Sequence, residues 1–333
     1  MRRLLLLIAV VVAAVASPAI AQRPQSLTKA DSGIPKPADF SGFPVRGQIV
    51  AISGQVIEGV HVTTTTGPCI EINGASHVTV RNSEIGPCGQ PGEEPAKGVN
   101  IHNGASNITI SRNWIHDVST GVYAEGARHP IVMDRNLVTN VRGPMPRGQM
   151  IQLNNVTGGS GATKITCNVS DQRGLDLPAG WAVEDHINLY RSSGVSTTEP
   201  IEVAYNRLRG GRSNTGSAIM TGDGGGGNVW AHDNVAVNVS GAGIGVASGT
   251  NVKVENNRIY MGATTSKANI GGYVWNQGSN CSNVIYRNNR IWTSNNNPFW
   301  NGGGCANVTI SGNLLQDTGL TALMFDEVPA QCN

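Results

Sequence analysis

Charge is scarce in this chain of 333 residues: 24 are Lys or Arg and 22 are Asp or Glu, 14% in all, against a usual share of about 25%. Aromatic residues are also few, at 5%. Setting aside Arg2 and Arg3 leaves 22 basic and 22 acidic residues, a formally neutral remainder with no Lys or Arg cluster. A nucleic-acid binder carries a basic stripe, so nucleic acid is excluded as a partner. The six cysteines form no Cys-x-x-Cys pair and the seven histidines are dispersed, which argues against a zinc site. What the chain has in excess is Gly (43) and Asn (33), set among Val and Ile that recur in short alternating runs. That regularity separates it from a disordered polar chain and points to β structure.

One apolar stretch stands out. Residues 1–21 read MRRLLLLIAVVVAAVASPAIA, a basic start, an apolar run from Leu4 to Ala16 and a small-residue end. This is the layout of a secretory signal peptide, too short to span a bilayer comfortably. The expected product is secreted or periplasmic, with no membrane association after signal cleavage. Residues 22–47 hold four prolines without periodicity and read as an extended lead-in.

From residue 78 an eight-residue template recurs nine times: VTVRNSEI, ITISRNWI, IVMDRNLV, TKITCNVS, IEVAYNRL, VWAHDNVA, VKVENNRI, VIYRNNRI and VTISGNLL. The first position is always β-branched, the third is always apolar, and the sixth is Asn in eight of nine, with Ser83 the exception. Positions one and three form a half-buried strand, and the polar sixth position breaks it before another strand begins at position eight. Asn suits the break because it tolerates left-handed backbone and bonds its own local backbone. Stacked at one corner, these side chains would make a ladder. The sixth positions are 23 to 38 residues apart, and the shortest interval is what three short strands and three turns require. A second strand signal precedes each template, as in GVNIHNG, GVYAEG, QMIQLNN and HINLYRS.

The pattern resembles the right-handed parallel β-helix proteins of the pectin-lyase-like superfamily, over roughly residues 48–320. The resemblance implies an all-β, single right-handed parallel β-helix (a β-solenoid) of about ten coils with three short strands each, followed by a tail or cap at 321–333. It carries over no catalytic residue, because the Asn-Thr-Asp and Gly-His-Gly elements of polygalacturonases and the Asp-Pro-His element of mannuronan epimerases do not occur here. A leucine-rich repeat lacks its Leu framework here, and a propeller needs longer blades. Cys281 and Cys305 occupy one repeat position in consecutive coils, 24 residues apart. Stacked strands lie about 4.8 Å apart, within disulfide range, so Cys281–Cys305 is expected to bond. Cys69 and Cys88 are a second candidate pair, and Cys167 and Cys332 have no evident partner.

Period-two alternation fixes an outward face on the strands preceded by Gly. One column reads Glu71, Asn100, Tyr123, Gln152, Asn188, Met220, Gly245, Tyr273; the next reads Asn73, His102, Glu125, Asn154, Tyr190, Gly222, Ala247, Trp275. Amides, carboxylates and aromatic rings on one surface suit a polysaccharide partner. Tyr123, Gln152, Asn154, Asn188, Tyr273 and Trp275 are the expected substrate-binding residues. For acid–base chemistry the candidates are His102 with Glu125, and the segment Asp185, His186, Tyr190, Arg191, in which Asp185 would orient the imidazole and Arg191 offset a substrate carboxylate. Asp185 precedes its strand and Asp223 follows the next, which separates them at opposite ends of the face. No metal site is expected, although Glu125, Glu184 and Asp185 admit calcium (Ca2+). The sequence therefore reads as an extracytoplasmic, carbohydrate-active protein acting as a monomer. Its first reading is a lyase or related depolymerase on an acidic glycan, and its alternative is a non-catalytic glycan-binding, adhesive or structural solenoid.

Overall fold

The computed structural model describes residues 36–143, 148–173, 182–211, 213, 215–239, 241–262 and 270–333. The signal-like segment and most of the lead-in lie outside the described residues. The described chain is a right-handed parallel β-helix built from three parallel sheets of eleven, ten and ten strands. Each strand pairs with the one three elements later, so one circuit visits all three sheets. The first strand, Val45–Arg46, already lies within the stretch read as lead-in, and pairs with His61–Thr64.

The template's positions one to four enter one ten-stranded sheet, running from Val56–Glu58 to Ala306–Ser311, here the template sheet. Position eight enters the eleven-stranded sheet that ends at Leu314–Leu315. The upstream strands, from Ile49–Val50 to Phe299–Gly303, form the third sheet, here the face sheet. Parallel registry stacks like on like: Ile70, Val99, Val122, Ile151, Ile187, Ile219 and Ile244 follow one another as Cα partners, none more than 1% exposed. Each such burial is worth about 1.5–3 kcal/mol, and β-branched side chains fill these stacked positions because they suit a pleated, buried surface.

The corner differs from the expectation in one respect. The left-handed residue is position five (Asn82, Arg112, Arg135, Cys167, Tyr205, Asp233, Asn256 and Asn288, φ 47 to 60°), not the Asn at position six. The Asn turns inward instead and bonds neighbouring coils. Asn136 Nδ2 donates to Asn168 Oδ1 (2.9 Å) and to the Ile110 carbonyl (2.8 Å), while its Oδ1 accepts from the Asn113 backbone N–H and side chain. The same bonds recur through Asn168, Asn206, Asn234, Asn257 and Asn289 to Asn313. Donors and acceptors are both used, so the ladder is buried without orphaned groups.

All six cysteines are bonded. Cys281–Cys305 and Cys69–Cys88 form, with Cα separations of 4.6 and 5.3 Å. Cys167 pairs with Cys332 across 165 residues, because the chain after the last coil folds back as a strap over the eleven-stranded sheet. Leu320, Met324 and Phe325 of this strap join Phe40, Trp114, Leu137, Val169 and Val235 in a second apolar cluster outside the solenoid. Arg207 donates to the Phe325 carbonyl (2.9 Å), and the Arg209 guanidinium lies 3.7 Å from the Phe325 ring centre.

Candidate functional site

The face sheet carries the residues that the sequence singles out. Glu71, Asn100, Tyr123, Gln152, Asn188, Met220, Gly245, Tyr273 and Trp300 are successive Cα partners in one column. Asn73, His102, Glu125, Asn154 and Tyr190 form the next. The middle of this face is more closed than an open platform. Tyr123, Gln152, Asn154, Asn188 and Tyr273 are each at most 7% exposed, packed among the side chains of neighbouring coils. Asn154 Nδ2 donates to the Tyr123 hydroxyl (2.8 Å) and to Glu125 Oε1 (3.3 Å), and Lys97 Nζ sits 4.8 Å from the Tyr123 ring centre.

Two expected partnerships are corrected. His102 faces Glu125 in register, yet its Nε2 bonds Glu71 Oε1 on the preceding coil, where Asn100 also donates (3.0 Å). A diagonal reach suits the longer acidic side chain and leaves Glu125 to Asn154. Nor does Asp185 orient His186. The imidazole is 1% exposed and turned into the corner of the solenoid, with Nδ1 2.8 Å from Ser170 Oγ and Nε2 3.0 Å from the Gly210 carbonyl. A carbonyl can only accept, so Nε2 carries the proton and Nδ1 accepts from Ser170. Burial pushes the imidazole down to about 4, which makes His186 a neutral structural group rather than a proton acceptor.

The third correction brings two carboxyls together. Asn188 Nδ2 donates to Asp185 Oδ2 at 2.9 Å and to Asp223 Oδ2 at 3.0 Å. The two oxygens are therefore at most about 6 Å apart, inside the spacing of glycosidic acid–base pairs. Asp223 is carried there by the Gly222–Gly227 turn, which doubles back towards Tyr190 and Arg191: Arg191 N–H donates to the Asp223 carbonyl (2.8 Å), and a Cβ at Gly224 (φ 61°) would lie 2.7 Å from the Tyr190 ring. Asp185 is 2% exposed, and Asp223 is half-buried. Burial, opposed by the Asn188 bond and reinforced by the Glu184 charge, pushes the Asp185 carboxyl up to about 7. The Ser217 N–H donates to its other oxygen (2.7 Å), and the Asn188 Oδ1 is buried without a partner.

Tyr273, three coil steps from Asn188, approaches the same place along the column. Its ring lies against Gly245, where a Cβ would come within 2.1 Å of it. Burial, then the Asp185 carboxyl, holds its hydroxyl above the ordinary phenol range. Tyr190 is half-buried, with the Arg191 guanidinium 4.9 Å from its ring centre. Trp275 stands apart, exposed beside Trp300. Sequence reasoning placed Glu71 and Gly245 in the first column without naming them as site residues, and it did not reach Trp300, whose place there follows from its pairing with Tyr273. Among the described residues no group of three His, Cys, Asp or Glu could hold a metal. Glu184 is engaged by Ser213 (3.1 Å) and Thr215 (2.8 Å), and Glu125 by Asn154.

Away from the face, two Trp-x-His-Asp segments build the same constellation twice. His116 and His232 each stack on a Trp two residues earlier (3.9 Å) and lie 2.8 Å from the following Asp. Each also meets a glutamate of the preceding coil, Glu84 (3.1 Å) or Glu202 (3.4 Å). These are closed braces between coils.

Comparison with known proteins agrees with this architecture. A family model described as "Right handed beta helix region" matches residues 38–170. The chain is similar in structure to an alginate lyase from Paenibacillus sp. str. FPU-7 (TM-score 0.51, 12% identity, 82% of this chain and 98% of that one). It is equally similar to the catalytic unit of a thermostable GH87 alpha-1,3-glucanase from Streptomyces thermodiastaticus strain HF3-3 (TM-score 0.51, 15% identity, 83% of this chain), of which it spans 47%. No curated protein sequence matches the chain. At these identities the likeness is one of fold.

Proposed function

We propose, starting from a chain whose fold is the right-handed parallel β-helix of pectin-lyase-like proteins, that this is an exported polysaccharide-active protein which cleaves glycosidic bonds at the Asp185–Asp223 pair. The observation that carries the reading is the bridge through Asn188. It holds two carboxyls within about 6 Å on one face, one of them pushed up to about 7 and so still partly protonated near neutrality. In the reaction Asp185 gives its proton to the bridging oxygen as the sugar C–O bond breaks. Asp223 stabilises the cationic sugar carbon or takes a proton from the attacking water, whose hydroxyl completes the new hemiacetal, and Asp185 regains a proton from solvent.

The same geometry turns the reading away from elimination on an acidic glycan. An eliminating lyase needs a base beside a charge-neutralised carboxylate, and His186 has both nitrogens engaged in the corner. The described face carries Glu71, Glu125 and Asp223, with Asp185 only partly ionised near neutrality, against Lys97 and Arg191, a balance that does not favour a polyanion. A neutral glycan fits it better. One observation favours a non-catalytic binder instead: Asp185 is almost wholly covered.

The test is to incubate the purified protein with neutral and uronic-acid polysaccharides and to follow reducing ends together with ultraviolet absorbance. Reducing ends without absorbance, lost in Asp185→Asn and Asp223→Asn, are the expected outcome. Absorbance from an unsaturated product would restore the lyase, and silence in both channels with retention in an affinity gel would leave a binder.

A further inference from the structure

The face sheet does not end at the carboxyl pair. Four coil steps beyond Asn188, about 19 Å at the spacing of stacked strands, the column reaches Trp300. Trp300 is 43% exposed and Trp275 39%, the two rings standing 5.3 Å apart at an interplanar angle of 51°. The register shifts between Val274 and Trp275. This irregularity turns Trp275 over the bare backbone of Gly302, where a Cβ would approach its ring to 2.6 Å. Two large rings fixed by backbone and left open to solvent are unusual on a monomer surface unless something covers them.

The surroundings state what the occupant is. From Ile270 to Leu315 the only charged residues are Arg287 and Arg290. Both belong to the other sheets, where Arg287 pairs with Glu255 (2.7 Å) and Arg290 with Asp317. Around the two indoles stand amides instead, Asn276, Gln277 and Asn301, and the side-chain-free Gly302–Gly304. Apolar ring faces edged by uncharged hydrogen-bonding groups match a pyranose, which has apolar C–H faces and a rim of hydroxyls. Among the described residues around the two indoles, none would neutralise a uronate carboxylate.

We infer that Trp275 and Trp300 form a distal subsite that stacks an uncharged pyranose of the same chain whose bond lies over Asp185 and Asp223. The inference rests on the proposed reading of the face as a glycan track and adds its polarity: the chain runs along the solenoid axis, several sugars long. Long oligosaccharides reach both places and a disaccharide reaches one.

The experiment measures binding apart from cleavage, by affinity electrophoresis and tryptophan fluorescence in Asp223→Asn. The probes are neutral gluco- and manno-oligosaccharides from disaccharide to octasaccharide, with oligogalacturonates of the same lengths. An octasaccharide of the neutral series is expected to bind about tenfold more weakly in Trp275→Ala and in Trp300→Ala, the loss of one stacking contact. The disaccharide is expected to change little, and Trp300→Phe to recover most of the loss. Circular dichroism and thermal melting of each variant separate lost stacking from lost folding. Equal binding by the Ala variants, oligogalacturonates bound as tightly as neutral chains, or no neutral probe bound at all would each overturn the subsite. Trp-dependent binding without any cleavage by the wild type would keep the subsite and remove the reaction. Cleavage with an unchanged length dependence in the Trp variants would do the reverse.

Discussion

At the residue scale the decisive group is Asp185, whose buried carboxyl stays protonated to about 7 in the folded chain and ionises near 4 when unfolded. Between those values the folded state binds the extra proton, so this residue's contribution to stability falls as pH rises through the window and stays lost above it. His186 acts in the opposite sense. Folded, its imidazole remains neutral down to about 4, so the unfolded state takes up a proton first, and stability drops as pH falls from about 6.5 towards 4. The two trends partly cancel in the wild type. Asp185→Asn is expected to leave the His186 trend alone, giving melting temperatures that climb from pH 4 to 6.5 and then level, with a gain of up to about 4 kcal/mol at pH 8. Activity of the same variant should fall 10²- to 10⁴-fold. A stability profile parallel to the wild type's would remove the assigned proton. Asp185 was visible in the sequence as an acidic residue beside a strand of the face. Its partner was not, because strand alternation says nothing about a glycine turn that doubles back, and the turn at 222–227 is what delivers Asp223.

Elements are held by two devices of different legibility. The Asn ladder could be read directly, since one residue type recurs at one template position; only its geometry was missed, the left-handed residue being the one before. Asn206 sits mid-ladder and is fully buried. It accepts from the Asn168 N–H (3.0 Å) and side chain (3.0 Å) and donates to Ile165 (2.8 Å) and Asn234 (2.9 Å). Asn206→Ala strands donors and acceptors on both neighbouring coils, each worth about 1–3 kcal/mol when unpaired. Denaturant unfolding should show a loss of at least about 3 kcal/mol, whereas Asn256→Ala, at the exposed fifth position, should lose far less. The strap had no repeat to announce it. Residues 320–325 meet Trp114, Leu137 and Val169 only after the chain reverses past its last coil, so the pairing of Cys167 with Cys332 waits on the fold. Replacing both cysteines with Ala removes a 165-residue closure, about 4 to 5 kcal/mol in the chain-entropy account. Limited proteolysis should then cut after residue 316 before the solenoid is touched; simultaneous loss of both would mean that strap and coils unfold as one unit.

For the whole molecule, the parallel stack converts a one-dimensional repeat into a straight face on which distance can be counted in coils. This is why the columns of the face were legible residue by residue while their openness was not: register follows from period two, but coverage depends on long side chains lying along the axis, as Tyr273 does over Gly245. The same counting sets carboxylates in the middle of the face and uncharged aromatics at its end, with few free cations among the described residues. A protein that held an acidic polymer would do so through ion pairs, and its affinity would fall steeply as salt shortens the Debye length from about 10 Å at 0.1 M to about 3 Å at 1 M. Stacking and neutral hydrogen bonds carry no such dependence. Affinity for a neutral oligosaccharide should therefore change less than about twofold across that range, with apolar stacking if anything favoured by salting-out ions. Retention measured in affinity gels at both ionic strengths decides between the two. Strong weakening by salt would place the binding energy in charges that the described face does not present, and would return the molecule to the acidic-glycan reading with its cations supplied by other segments.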